Sequence, residues 1–349
     1  MRQKKRKVAV VLSGGGAKGA YEAGALASVV RKTKDIHVMT GASIGAINAA
    51  VFAWEYEQTG DMIQAAETVK STWSELGDLF TVSLWRIAGL ALRSYWKTGN
   101  PLNFASAVDN TTIRRKLKEL IPEDLKISDL KRIELAINAT CLTDGKTVSF
   151  SRDNDAYLYE AVLASSCIPL IFEAQSINGG SYVDGGVFNN TPLSDALAAQ
   201  ATDVFVVELK PKAKDLYIET IQESAKFDSI YQVGGRMIEL ITDKIMYEDL
   251  KNARRVNEII DVIMALEASG GNTQIIQNLK KSIGYEKNGK IKRHVNFYEI
   301  APSTRLDPPG TLGFDKQEAI ERIIHLGEQD AKEQLEDVRV EWGRELSWG

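Results

Sequence analysis

Two glycine-rich turns fall within the first fifty residues, and each separates a short apolar segment from an apolar helix pattern. The first apolar segment, residues 8–12, ends at a glycine loop, and helix-spaced apolar residues follow over residues 17–32. The second, residues 36–40, ends at a five-residue turn that precedes another apolar helix pattern. Short apolar runs bounded by glycines indicate buried strands, and their alternation with helices indicates parallel strand–helix units. The chain is therefore predicted to be a three-layer α/β/α protein with a mainly parallel central sheet.

The rest of the 349-residue chain continues this pattern, with no Pro- or Ser-rich linker to divide it. Further strands are predicted at residues 133–141, 147–151, 170–177, 204–209 and 295–300, with a hairpin turn at 143–146. Helices are predicted at residues 61–76, 111–120, 155–165, 193–200 and 314–338. Residues 216–283 combine helix-spaced apolar residues with many charges, which indicates a helical insertion on one face of the domain.

These segments predict one domain. We expect a basic tail over residues 1–6 and a single α/β domain over residues 7–349. Within it, residues 7–210 form the core, and residues 294–340 supply a C-terminal strand and helix.

Composition narrows the functional classes. A net charge of −4 argues against a nucleic-acid-binding protein. The two cysteines, Cys141 and Cys167, are too few for a disulfide framework and fit a reducing compartment. No apolar run approaches the ~20 residues that a membrane-spanning helix needs. We therefore expect a soluble, cytoplasmic protein whose contact with membranes is at most peripheral.

Two segments have a composition that would suit such a contact. Residues 2–7 are almost entirely basic and could bind anionic headgroups, although a solvated tail is the simpler explanation. Residues 82–96, VSLWRIAGLALRSYW, are rich in Trp and Leu and could lie at a lipid interface. A helix packed over the core, or a cap lining an apolar pocket, explains the same composition.

The second glycine turn has the form G-x-S-x-G and carries the candidate nucleophile, Ser43. Between a strand and a helix, this motif places the serine on a sharp turn with its hydroxyl exposed at the helix N-terminus. The helix dipole then favours negative charge that develops nearby. The flanking residues of this nucleophile elbow are Gly41, Ala42, Ile44 and Gly45.

The first glycine loop spells G-x-G-x-x-G, the pattern of dinucleotide-binding proteins. Such proteins need an acidic residue about 20 residues further on to hold the ribose, and here the second strand runs directly into Gly41 without a carboxylate. Beside a nucleophilic serine, free backbone N–H groups would instead form an oxyanion hole. The predicted donors are the N–H groups of Gly15, Gly16 and Ala17. The whole loop comprises Gly14, Gly15, Gly16, Ala17, Lys18 and Gly19.

A general base is needed to activate Ser43, and two sources remain open. Asp184, followed by Gly185 and Gly186, could serve if the fold brings it to Ser43. Alternatively, Ser43 and Asp184 could be completed by His294 or His325, in the chain order of α/β-hydrolase triads. Neither histidine lies in a glycine-flanked loop, and the third, His37, lies on the strand entering the elbow. No cluster with metal-ligand spacing is present in the sequence, so no metal or cofactor is expected.

In these three motifs and their order, the chain resembles the patatin-like phospholipases, in their bacterial form. The run ASSCIPLIFEA at residues 164–174 also resembles the family, and the similarity extends over roughly residues 7–210. Ser13 and Lys18 differ from plant members but leave the core pattern intact. The resemblance implies a Ser43–Asp184 dyad without histidine, and a lipid or other fatty-acyl ester as substrate. A non-catalytic lipid-binding protein on the same scaffold is the alternative from another class.

Overall fold

A computed structural model describes residues 6–76, 96, 111–169, 172–188, 190–211, 230–287, 290–306 and 317–338. Most of the basic tail, the Trp-rich segment 82–96 apart from Trp96, and the first part of the expected insertion lie outside the described residues. Arg6, the last residue of that tail, forms an ion pair with Asp203 at 3.0 Å. None of the described helices combines the length and apolarity needed to cross a bilayer.

The described strands form one large sheet and a small separate hairpin. Eight of them make the large sheet in the order β10-β7-β1-β2-β3-β6-β5, with β4 paired to β3. Its members are β1 Val8–Leu12, β2 Val38–Ala42, β3 Glu134–Cys141, β4 Lys146–Phe150, β5 Gln175–Ile177, β6 Gly180–Asp184, β7 Asp203–Val207 and β10 Asn296–Ile300. The hairpin consists of β8 Glu286–Lys287 and β9 Lys290–Ile291.

The sheet is mixed rather than uniformly parallel. The run from β10 through β7, β1 and β2 to β3 is parallel throughout. Strands β4, β5 and β6 add antiparallel pairs beyond it. The expected α/β class is confirmed, and the antiparallel strands all lie at the β3 side of the sheet.

Strand β3 is the point where the parallel and antiparallel parts meet. Strand β2 pairs with residues 134–138 of β3, and β6 pairs with residues 139–141. Strand β4 pairs with residues 137–141 and overlaps both, so it must occupy the other edge of β3. Strands β2 and β6 therefore share one edge of β3, and their C-terminal ends face each other.

Helices cover both faces of the sheet. Side chains of β1 alternate between two apolar clusters, with Val10 and Leu12 in one and Ala9 and Val11 in the other. Successive side chains of a strand point to opposite faces, so apolar packing on both sides shows that β1 is buried between two helical layers. This confirms the three-layer architecture. The described helices are α1 Ala20–Thr33, α2 Ile44–Thr59, α3 Met62–Leu76, α4 Thr111–Leu120, α5 Leu158–Ser165, α6 Leu193–Ala198, α7 Ile230–Ala268, α8 Thr273–Ser282 and α9 Gln317–Gln334.

The C-terminal helix α9 packs directly on α1. A Cβ at Gly24 would lie 1.9 Å from the carbonyl oxygen of Ile324, and a Cβ at Gly327 would lie 2.1 Å from that of Tyr21. Only glycine allows the two backbones to approach so closely. The C-terminal segment is thus fixed against the helix that follows the glycine loop.

Helices α7 and α8 account for the described part of the expected insertion. Leu250 and Ala253 of α7 join the apolar cluster of one face of the sheet. The far end of α7 and α8 form a cluster of their own, centred on Ile263 and Ile276. Helix α7 also contacts the turn Gly185–Val187, beside the candidate base.

Four details differ from the sequence-based expectations. The strand expected at 170–177 is confined to β5 within the described residues, and β6 was not expected as a strand. The first helix begins only at Ala20, because residues 16–19 form a 3-10 turn. The small hairpin of β8 and β9 was not expected either. The other strands and helices match expectation to within a few residues, since boundaries depend on tertiary packing more than on pattern.

Candidate active site

Ser43 occupies the sharp turn between β2 and α2. Its backbone has φ 53° and ψ −124°, a combination that costs a non-glycine residue on the order of 1–3 kcal/mol. The residue is buried, and its carbonyl accepts the first hydrogen bonds of α2, from Ala46 and Ile47. A serine at this position usually caps the helix with its hydroxyl, but Ser43 makes no such bond. The hydroxyl is therefore not used for capping.

Asp184 ends β6 with a buried carboxyl group. One oxygen, Oδ1, accepts a hydrogen bond of 2.7 Å from the N–H of Gly186. The other, Oδ2, is buried and has no hydrogen-bond partner of ordinary geometry among the described residues. Burial raises the pKa of Asp184 from 3.8 to about 6, although Ser43 and the Gly186 N–H both act to lower it. A carboxyl with this pKa can hold or release a proton near neutrality.

The β3 register brings Ser43 and Asp184 together. Ala42, immediately before Ser43, pairs with Asn138, and Asp184 pairs with the next residue, Ala139. The Ser43 hydroxyl is also the group that most lowers the pKa of Asp184. The strand register and this electrostatic coupling therefore both place the Ser43 turn beside the Asp184 carboxyl.

The glycine loop lies against Ser43. A Cβ on Gly14 would be 2.9 Å from the Ser43 Cβ and 2.5 Å from Oδ1 of Asn190, so a larger residue would displace one of them. Asn190 holds Gly14 on both sides, since its carbonyl accepts from the Gly14 N–H and its amide donates to the Gly14 carbonyl.

The next residues enter the 3-10 turn Gly16–Gly19. The N–H groups at the start of a helical turn have no acceptor within it. Those of Gly15, Gly16 and Ala17 make no hydrogen bond within the described part of the chain. Among the residues that the structure describes, these groups therefore have no partner, and the loop that carries them borders Ser43.

The other motif residues pack the loop and the elbow together. Gly19 lies against Ile44, and Gly45 lies against the backbone of Leu12 at the end of β1. Gly185 lies against the carbonyl of Asn138. The residues quoted in the three motifs therefore meet at the C-terminal ends of neighbouring strands, where α/β folds bind ligands.

Comparison with known proteins places this arrangement in a family. The family model of the patatin-like phospholipases matches residues 10–197, which is more than half of the chain. The chain belongs to the patatin-like phospholipase family. The family supports the enzyme class expected from the motifs, a hydrolase of lipid esters.

Individual relatives of this patatin-like chain are distant. Lysophospholipase NTE1 of Saccharomyces cerevisiae is 24% identical over 206 residues, which cover 58% of this chain and 11% of that protein. The probable lipid hydrolase 463L of invertebrate iridescent virus 6 is 25% identical over 194 residues, 54% of this chain and 62% of that protein. The chain therefore spans less than two thirds of the length of either relative.

Two solved structures align with most of the patatin-like chain. VipD from Legionella pneumophila covers 95% of this chain and 67% of its own, with 16% identity and a TM-score of 0.38. Human GIVD cytosolic phospholipase A2 covers 94% of this chain and 61% of its own, with 12% identity and a TM-score of 0.46.

Two of the three histidines lie at the opposite end of the sheet from Ser43, and the third is exposed on α9. His294 precedes β10 at the N-terminal ends of the parallel strands, where it contacts Asp261 at 2.7 Å. His37 lies at the same end, beside Val8 and Asp35. Ser43 follows the opposite end of β2 from His37. A strand of five residues is about 16 Å long, at 3.3 Å per residue. His325 is exposed in a surface groove with Glu321 and Arg322.

Several polar residues of the site were not expected from the sequence. The hydroxyl of Ser165, at the end of α5, accepts from the Ser43 N–H at 2.9 Å and donates to the Asn138 carbonyl at 2.6 Å. Asn190 holds the glycine loop, and buried Glu22 and Asn48 lie behind it. Ser165 lies in the segment 164–174 that resembles the family, which was the one available signal for it.

Proposed function

We propose that the protein is a serine lipid acyl hydrolase that cleaves fatty-acyl esters of lipids through Ser43 and Asp184. The observation that carries this proposal is the meeting of the Ser43 turn and the buried Asp184 carboxyl on one edge of β3. Family membership and the lysophospholipase and lipid-hydrolase relatives support a lipid ester as substrate. Phospholipids, lysophospholipids and acylglycerols all fit this class.

In the first half of the reaction, the Ser43 Oγ attacks the ester carbonyl while its proton passes to Oδ2 of Asp184. The resulting oxyanion is stabilised by the N–H groups of Gly15, Gly16 and Ala17. The tetrahedral intermediate then collapses, and the alcohol leaves with the proton held by Asp184. The acyl group remains on Ser43 as an ester.

In the second half, Asp184 takes a proton from a water molecule that attacks the acyl-enzyme. A second tetrahedral intermediate forms and uses the same oxyanion donors. Its collapse releases the fatty acid and returns the proton to the Ser43 oxygen. Because Asp184 alternates between the two protonation states, a pKa near 6 suits both halves at neutral pH.

Incubation of the purified protein with a mixed lipid extract, followed by mass spectrometry of the products, tests this function. We expect free fatty acids and the matching deacylated lipids from the wild type, and neither from Ser43→Ala. Asp184→Asn should lose at least 100-fold in rate, because the base is removed while the shape is kept. A folded Asp184→Asn protein with wild-type activity would exclude the dyad.

The histidine alternative is tested on the same extract. His294→Ala and His325→Ala should both hydrolyse lipids at the wild-type rate, since His294 lies at the opposite ends of the strands and His325 is exposed on α9. Loss of activity in either variant, with folding unchanged, would favour a Ser-Asp-His hydrolase instead.

A further inference from the structure

A buried pair of side chains, Glu22 and Asn48, connects the two ends of the glycine loop. The N–H of Ser13, just before the loop, donates to Oε1 of Glu22 at 2.5 Å. The carbonyl of Gly19, at the end of the loop, accepts from Nδ2 of Asn48 at 3.0 Å. The same Nδ2 donates to Oε2 of Glu22 at 3.0 Å, which closes the connection behind the loop.

The orientation of the Asn48 amide is fixed by its neighbours. Its Oδ1 accepts a hydrogen bond of 3.0 Å from the indole N–H of Trp73, which can only donate. Its Nδ2 faces the Gly19 carbonyl, which can only accept. An inverted amide would place donor against donor at Trp73 and acceptor against acceptor at Gly19. Glu22 is therefore met by donors at both oxygens, from Ser13 and Asn48.

Burying this pair costs folding free energy, because both residues are buried and a buried carboxyl loses its hydration. Burial raises the pKa of Glu22 well above its usual value, while the hydrogen bonds from Asn48 and Ser13 act in the opposite direction. Glu22 lies in α1 and Asn48 in α2, five residues after Ser43. The pair thus joins the glycine loop to the helix that presents the nucleophile.

We propose that Glu22 and Asn48 are positioning residues that hold the glycine loop at the distance from Ser43 at which its N–H groups bind the oxyanion. This inference rests on the proposed hydrolase function. The pair acts through the backbone of Ser13 and Gly19, and no contact with substrate is required. It sets where the N–H groups of Gly15, Gly16 and Ala17 point, which determines how well they stabilise a developing charge.

Three variants test the proposal through hydrolysis of a soluble p-nitrophenyl ester. Glu22→Gln replaces one acceptor with a donor, so either Ser13 or Asn48 loses its partner. Asn48→Asp places a carboxylate against Glu22 and against the Gly19 carbonyl. The double variant Glu22→Gln/Asn48→Asp restores the match, because the new amide donates to the new carboxylate while still accepting from Ser13. Its only lost hydrogen bond is the one to Gly19.

We expect each single variant to lower kcat by about tenfold or more with KM little changed, since loss of oxyanion stabilisation acts on the transition state. The double variant should recover at least part of kcat relative to Asn48→Asp. Tyr21→Phe is the matched control, because it removes a buried hydrogen bond of the same helix, from Tyr21 to Asp330, that does not involve Ser13, Gly19 or Asn48. It should lower thermal stability without lowering kcat.

The outcomes separate this inference from the proposed function. If the wild type shows no hydrolysis that depends on Ser43, the function itself is wrong. If the wild type is active and folded Glu22→Gln keeps its kcat, only the positioning role is wrong. Three other results would show that the pair is merely structural and would also overturn the proposal. These are a double variant no more active than Asn48→Asp, an equal loss of kcat in Tyr21→Phe, and loss of folding in all three network variants.

Discussion

Ser43 and Asp184 lie at the facing C-terminal ends of two strands, β2 and β6, that occupy the same edge of β3. Their 141-residue separation in sequence is closed by two consecutive residues of one strand, Asn138 and Ala139. Strand pairing is set by backbone hydrogen bonds and fixes the spacing of the two side chains more firmly than a loop would. The rigid part of the candidate site is therefore the β3 edge.

The first prediction concerns the pH dependence of activity. In the proposed mechanism Asp184 must be ionised to accept the Ser43 proton, and burial raises its pKa to about 6. We expect kcat/KM to be level above pH 7, to reach half its maximum near pH 6, and to fall tenfold per pH unit below that. The profile should be unchanged in His294→Ala and His325→Ala. An inflection that moves in either histidine variant would assign the base to that residue.

The second prediction concerns the pH dependence of folding stability, which runs in the opposite direction to that of activity. The folded protein binds the Asp184 proton more tightly than the unfolded chain does, so Asp184 lowers the stability as pH rises from about 4 to about 6. A difference of about two pKa units corresponds to at most about 3 kcal/mol above pH 6. Asp184→Asn should therefore be more stable than the wild type at pH 8, with the gain shrinking towards pH 4. Chemical denaturation at the two pH values measures this, and an equal effect at both would contradict it.

The third prediction uses two adjacent serines with different partners. The hydroxyl of Ser165 supports the Ser43 N–H, whereas that of Ser166 donates only to Val162 within its own helix, at 2.8 Å. Ser165→Ala leaves the buried Ser43 N–H unpaired and frees a turn that already has an unfavourable φ, so kcat should fall about tenfold. Ser166→Ala removes an equally buried hydroxyl and should keep kcat. Steady-state kinetics on one soluble ester compare them, and equal rates would show that Ser165 has no role in the elbow.

The strand–turn–helix units could be predicted because their signals are local. Glycines at both turns, apolar runs of strand length and helix-spaced apolar residues identify the elbow at Ser43 and the loop at residues 14–19. The order of the three motifs was enough to identify the family. The partition of the chain into tail, core and insertion stays a prediction.

Strand β6 was not predicted because its sequence, GSYVD, is short and contains few apolar residues, although Asn178 and Gly179, both at positive φ, form the two-residue turn of a hairpin just before it. It pairs with β5 in a local hairpin and with β3 on its other side, and only the contact with β3 is long-range. Sequence could nominate Asp184 as a base, but only this pairing brings it to Ser43.

Glu22 was overlooked for a related reason. An acidic residue in the first turn of a helix is usually exposed and explained by the helix dipole. Its burial depends on Asn48 and Trp73, which lie 26 and 51 positions further along the chain. No local pattern marks such a network.

The most direct test of the Ser43–Asp184 pair is covalent labelling with a fluorophosphonate, followed by peptide mass spectrometry. We predict a single adduct on the peptide that contains Ser43 in the wild type, none in Ser43→Ala, and labelling slowed by at least tenfold in Asp184→Asn. An adduct on another serine, or an Asp184→Asn protein that is labelled as fast as the wild type, would contradict the proposed site.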